Sequence, residues 1–148
     1  MPTLRVNKDA KFKYSLLEKY EAGLELYGWE VKAIKSGNID FKGSYVKPIG
    51  NEFYWINGLI TPVTRGESDY DPSRMRRLLL HRNEIAKLQL LIKAKGVTIV
   101  PVRLYTTRNL IKLEIATAKG KKHFEQKLAM KKKTQEQKLK QELKGTGY

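Results

Sequence analysis

Residues 40–60 read DFKGSYVKPIGNEFYWINGLI, and this stretch sets the fold class. Tyr45 and Val46 precede Pro48, Gly50-Asn51 is a turn signal, and Phe53-Tyr54-Trp55-Ile56 is a run of aromatic and β-branched residues. Such residues suit a pleated, half-buried surface, and a Gly-Asn break between two such runs marks where the chain reverses. The segment is therefore expected to be strand. On its N-terminal side, Trp29 to Lys35 fits a short helix with Val31 and Ile34 on one face and Gly37 at the stop. Before it, Phe12 to Tyr27 fits a first strand with a bend at Gly23. Residues 1–11 read as a flexible basic lead.

On the C-terminal side, Thr61 to Met75 carries Pro62, Gly66 and Pro72 without periodicity and is expected to be a long loop. Asn83 to Lys95 is the clearest helix, with Ile85, Leu88 and Ile92 on one face, Leu91 beside it and Gly96 closing it. Two strands follow, Thr98 to Tyr105 and Ile111 to Ala116, around a turn at Arg108-Asn109. Six or so short strands with two helices imply a mainly β chain with short helices, in the α+β class, arranged as a small closed or partly closed barrel. The body spans residues 1–118 and a basic tail spans 119–148.

Charge narrows the function. The 148 residues hold 30 Lys+Arg against 15 Asp+Glu, a formal +15. The tail, Lys119 to Tyr148, has ten lysines, three glutamates (Glu125, Glu136, Glu142) and no arginine, supplying +7 of that total. A compact basic body with a charged arm suits a polyanion, and nucleic acid above all. From Lys121 to Lys144 the tail lacks Pro and Gly and is rich in helix formers. Phe124, Leu128, Leu139 and Leu143 form a narrow apolar stripe. The tail is expected to be partly disordered alone and to fold against a negative surface, with a disordered solubilising tail as the simpler reading.

Several classes are set aside. Without cysteine there is no disulfide scaffold, thiolate catalysis or thiolate metal site. No window approaches the roughly 18 apolar residues of a membrane span, and the N-terminus has no secretory apolar run. A soluble cytoplasmic protein without membrane association is expected. His81 and His123 stand in different contexts, and no zinc, calcium or phosphate-loop pattern appears. Asp69 and Asp71 read as turn formers, and Glu30 and Glu84 as solvated ion pairs. No catalytic, metal or cofactor site is expected, and the chain is not read as an enzyme.

The nucleic-acid pattern is fuller. Basic residues cluster at Lys8-Lys11-Lys13, Arg74-Arg76-Arg77-Arg82 and Lys119-Lys121-Lys122, interleaved with Phe12, Tyr14, Tyr45, Tyr70 and Phe124. Cations contact phosphates whatever the sequence, and exposed rings stack on unpaired bases at about 1–3 kcal/mol each. Phe124, with lysines on both sides at the body–tail junction, is the best stacking candidate. On pattern alone Glu21 reads as a surface ion pair, Leu79 as core, and His81 as either structural or an RNA-facing donor. A general single-strand RNA-binding or RNA-chaperone module is one reading of barrel and charge.

The ordered motifs favour a sharper one. They are Asn7-Lys8, Tyr20-Glu21-Ala22-Gly23-Leu24, Gly28-Trp29-Glu30-Val31-Lys32, Gly43-Ser44-Tyr45-Val46, Asn57 through Pro62, and Asp71-Pro72. Arg74, Arg76-Arg77-Leu78-Leu79-Leu80-His81, Glu84-Ile85, Val100-Pro101, Leu104-Tyr105 and Ala118-Lys119-Gly120-Lys121-Lys122 complete them. In this order the sequence resembles the small protein B family, the SsrA-binding proteins of bacterial trans-translation. The resemblance implies an oligonucleotide-binding-type (OB-like) antiparallel β-barrel that binds the tRNA-like domain of transfer-messenger RNA. It implies delivery of that RNA to stalled ribosomes, with the tail in the decoding region of the small subunit's 16S rRNA and in the empty mRNA channel. Elongation factor Tu and alanyl-tRNA synthetase are implied as indirect partners. Positions matching the family's RNA contacts are Asn7, Lys8, Glu21, Tyr45, Leu79, His81, Lys119, Lys121 and Lys122. At the decoding site they are Phe124, Glu125, Gln126 and Lys127. There the family usually has an aromatic or histidine followed by Asp-Lys-Arg, so the order is altered and the guanidinium, with its planar fork, is absent.

Overall fold

A computed structural model describes residues 3–63 and 71–120. The elements in order are β1 (Thr3–Val6), α1 (Lys8–Lys13), β2 (Tyr14–Leu24), α2 (Gly28–Lys35), β3 (Ile39–Asp40) and β4 (Tyr45–Ile49). Then come β5 (Glu52–Ile56), β6 (Leu59–Ile60), β7 (Arg76–Leu79), α3 (Arg82–Leu91), β8 (Val97–Thr107) and β9 (Leu110–Gly120).

Within residues 40–60 lies the β4–β5 hairpin, paired from Tyr45↔Ile56 to Ile49↔Glu52 around Gly50-Asn51. Gly50 sits at φ 62°, a left-handed conformation that glycine adopts without strain. Val46, Phe53 and Trp55 turn inward, while Tyr45 and Lys47 face out. A second hairpin joins β8 to β9 at Arg108-Asn109, whose φ values of 49° and 66° are those of the twist-matched two-residue turn. Both strands outrun their expected spans of 98–105 and 111–116. Thr106 and Thr107 extend the ladder to the turn, and Thr117 to Lys119 pair with the start of β8.

Neighbouring strands run β8-β4-β5-β7-β2-β9, and β9 pairs back onto β8, closing an antiparallel barrel. Closure leaves few free edges and an interior just wide enough for side chains. Phe53, Trp55, Leu78, Ile99, Leu104, Leu113 and Ile115 fill it, together with Ala33 and Ile34 of α2 and Leu88 of α3. The mainly β, OB-like class expected above is what the chain forms.

Other details differ from those expected from the sequence. The lead is not a loose arm: β1 pairs with Arg103–Tyr105 of β8, beyond the single β4 pairing at Ile99. The Asn7 amide N–H donates to the Val102 carbonyl at 2.8 Å, and α1 sets Ala10 on Val100 and Ala118 in a second small core. The β2 irregularity falls at Leu16–Lys19 rather than at Gly23. There the Glu18 N–H donates to Thr117 Oγ1 at 3.0 Å, which satisfies the backbone group freed by the bulge. Finally, α3 ends at Leu91, about a turn before Gly96. The N–H groups of Lys93 and Ala94 bond three residues back, tightening the end so that Gly96 (φ 80°) can redirect the chain into β8. Strand β9 itself continues two residues past position 118.

Candidate nucleic-acid interface

Strands β7, β2 and β9 lie side by side, with Gly23 opposite both Leu79 and Lys112. Because side chains alternate across a strand, Ala22, Leu78 and Leu113 point into the core. Their neighbours Glu21, Leu79 and Lys112 point out. With Gly23, Leu80, His81 and Glu84 they line an open cleft of about 460 Å³. Gly23 makes the floor possible: a Cβ there would lie 3.1 Å from Leu79 Cβ. Leu79 remains 46% exposed, an apolar side chain turned to the outer face rather than to the core.

The polar groups of the cleft are held from several sides. Lys112 Nζ lies 3.9 Å from Glu21 Oε1, at a side-chain exposure of 48% for Glu21. Tyr105, the cross-strand partner of Lys112, is 2% exposed. Burial first, and the neighbouring Glu21 carboxylate second, push the Tyr105 phenol far above its ordinary range, so it stays a donor. Arg103 lies over the Tyr105 ring at 4.3 Å and donates to Glu114 at 2.9 Å. At the other rim, Glu84 accepts the His81 backbone N–H at 3.1 Å, anchoring His81 at the α3 N-terminus. Glu84 is thus a helix cap, not a solvated ion pair.

Behind the cleft is a buried charge cluster that the sequence reading misassigned. Glu30 and Arg76 are both fully buried, with Arg76 Nε donating to Glu30 Oε2 at 2.6 Å. Arg76 also donates to the carbonyls of Gly58 (2.6 Å) and Pro72 (2.8 Å). Arg74 donates to the same carboxylate through Nε (3.1 Å) and Nη2, and Glu30 caps α2 by accepting the Tyr27 N–H at 2.8 Å. Burial raises the Glu30 pKa, but these donors outweigh it, and the carboxyl ends below its ordinary value. Arg77 pairs instead with Glu25 and Glu52. The cluster Arg74-Arg76-Arg77, read as phosphate contacts, is therefore engaged within the protein, while Arg82 has no ion-pair partner among the described residues. The cluster bolts β7 in place three residues before Leu79.

Of the expected RNA-contact positions, the cleft gathers Glu21, Leu79 and His81. Asn7 is elsewhere: its side-chain amide donates to the Pro101 carbonyl at 2.8 Å, beside a hollow of about 600 Å³ that Lys8 also lines. Tyr45, 42% exposed, lines a small groove with Ile92 and Val97. Lys119 is exposed on β9, opposite Val97 and Ser15. Tyr14 packs on the small α1 core. Lys121, Lys122, Phe124, Glu125, Gln126, Lys127, His123, Asp69 and Tyr70 lie outside the described residues. Lys112 and Tyr105 are not among the residues expected from the sequence. Alternation along β8 and β9 carried a signal for both, but only pairing shows which strands meet. Among the described residues, no group of His, Asp or Glu is disposed to hold a metal, and no helix is long and apolar enough to cross a membrane.

A family model described as SmpB protein matches residues 4–145. The chain belongs to the SmpB family. Relatives named SsrA-binding protein agree. The one from Malacoplasma penetrans is 47% identical over 132 residues, covering 88% of this chain and 90% of the relative. That from Fusobacterium nucleatum is 44% identical over 140 residues, covering 93% and 94%. That from Aquifex aeolicus is 42% identical over 141 residues, covering 94% and 90%. A solved chain described under tmRNA-SmpB and the centre of the bacterial ribosome superposes with a TM-score of 0.67 at 39% identity. The match covers 80% of this SmpB-family chain and 85% of that one.

Proposed function

We propose that this protein is a non-enzymatic RNA-binding adaptor of ribosome rescue, docking through its barrel on the tRNA-like domain of transfer-messenger RNA. The observation that carries the reading is the meeting of Glu21, Leu79 and His81 in one open cleft of an SmpB-family barrel. Lysine alone attracts any phosphate, whereas a carboxylate beside an apolar side chain suits a base edge and a base face. Exposed Lys8 and Lys119 add phosphate attraction on other parts of the barrel. The basic tail, with Phe124 leading it, then enters the decoding region and the empty message channel of the small subunit. Elongation factor Tu and alanyl-tRNA synthetase act on the same RNA and meet the protein indirectly, in the cytoplasm where ribosomes work.

Competition binding tests this. The full chain is expected to prefer the tRNA-like domain to a generic duplex, and to keep that preference as salt rises. Glu21→Ala should weaken tRNA-like-domain binding about tenfold or more, with duplex binding nearly unchanged. Equal losses on both RNAs, or a preference that vanishes with salt, would leave only a general RNA-binding module.

A further inference from the structure

Strands β4 and β8 pair at Val46↔Ile99 alone. Between them and the end of α3 the surface opens into a groove of about 230 Å³, walled by Tyr45, Pro48, Ile92 and Val97. Ligand pockets usually start near about 300 Å³, so this groove has room for one large side chain and little more. Lys47 is its one charged lining residue, which offers little to a phosphate backbone. In a chain of net charge +15, the groove is an apolar opening in an otherwise basic protein.

The course of the chain shows what can cover it. Lys119, at the end of β9, pairs with Val97 of the groove wall on one side and with Ser15 on the other. The tail from Lys121 onward, outside the described residues, therefore starts beside the groove. Crossing from β9 over β8 to the groove takes two strand spacings, about 10 Å. Phe124 is the first large apolar residue after Gly120, four positions on, and an extended chain of that length reaches about 13 Å. Glu125, which follows it, carries the charge opposite to Lys47, and Lys47 has no ion-pair partner among the described residues. A tether this short keeps its end at an effective concentration of about millimolar beside the groove, an advantage no separate partner shares.

We propose that the groove between β4, β8 and the end of α3 docks this chain's own Phe124, holding the start of the tail against the body of the free protein. Burying one ring gains about as much as ordering the four linking residues costs, so the contact is releasable. A partner that stacks Phe124 better takes it over. The contact belongs to the free protein and stands or falls independently of the adaptor reading.

The chain contains no cysteine, so an introduced pair reports proximity without background. In the full-length protein, His123→Cys is combined either with Lys47→Cys at the groove or with Ser15→Cys, exposed on the far side of β9. Under mild oxidation the Lys47 pair should close about tenfold or more faster than the Ser15 pair, and adding Phe124→Ala should bring the two rates within about twofold. Methyl NMR of the cysteine-free protein supplies a second readout. Phe124→Ala should shift the Ile92 and Val97 methyl signals as the ring current is lost, and leave those of Leu79 and Leu110 in place. Equal closure of the two pairs, or Ile92 and Val97 signals indifferent to Phe124→Ala, would overturn the docking. A groove that takes up a single-stranded oligonucleotide equally in wild type and Phe124→Ala would overturn it too, assigning the groove to an RNA base.

Discussion

Glu30→Gln is a near-isosteric change that should cost this protein a large share of its stability. The wild-type carboxylate receives the Tyr27 N–H at 2.8 Å, two donors of Arg74, and Arg76 Nε at 2.6 Å, all at a fully buried position. Glutamine keeps one acceptor oxygen and turns an amide donor towards a guanidinium. Arg76 is then left buried with its charge unbalanced. Removing one partner of a buried pair typically costs 3–5 kcal/mol. Because Arg76 keeps its bonds to the Gly58 and Pro72 carbonyls, the lower end applies, about 3 kcal/mol. For a domain of this size each kcal/mol moves Tm by about 4 °C, so a drop of about 12 °C is expected. Thermal melts and urea titrations at neutral pH measure it, with an unchanged m-value showing that the denatured state is the same. Glu21→Gln, at a half-exposed carboxylate, is the control and should stay within about 0.5 kcal/mol.

The pH dependence follows from the sign of the shift. The folded Glu30 pKa lies below its ordinary value of 4.5, chiefly because Arg74, the Tyr27 N–H and Arg76 outweigh the burial that would raise it. Its contribution is therefore complete above about pH 4.5 and is lost as pH falls through the lower folded value. The gap between wild type and Glu30→Gln should narrow in that acid window. A Tm loss under about 3 °C at pH 7, or a gap that widens with acid, would refute the reasoning.

Gly58→Ala should destabilise by about 1–3 kcal/mol, because a Cβ there would stand 2.3 Å from Trp55 Cζ2. Trp55 is fully buried and packs on Phe41 at 5.6 Å, so it cannot withdraw. A urea midpoint equal to wild type would show that the ring has room to move. At the β8–β9 turn the effect reverses. Replacing Arg108-Asn109 with Asn-Gly relieves two positive φ values, 49° and 66°, and should raise stability by about 0.5–1 kcal/mol in the same titration. A lower midpoint would count against the turn assignment.

What the sequence determined by itself is local. Gly50-Asn51 and Arg108-Asn109 mark their hairpins because a turn is fixed by the φ values of two adjacent residues. The short α2 helix is legible for the same reason, since its apolar face and the Gly37 stop lie within ten residues. The ordered family motifs also named Glu21, Leu79 and His81, though not that they would meet.

Tertiary structure decided the rest. A charged residue reads alike in sequence whether it is solvated or buried, so Arg76 looked like a phosphate ligand. Only folding brings it against Glu30, 46 positions away, and turns it into a buried partner. Likewise β1 and α1 have too little apolar pattern to stand alone, and they form because the free stretch of β8 edge gives them a ladder and a surface. The cleft is the clearest case. Glu21, Leu79 and Lys112 share it because Gly23 pairs with one neighbouring strand on each side, and register between strands distant in sequence is set by how the barrel closes.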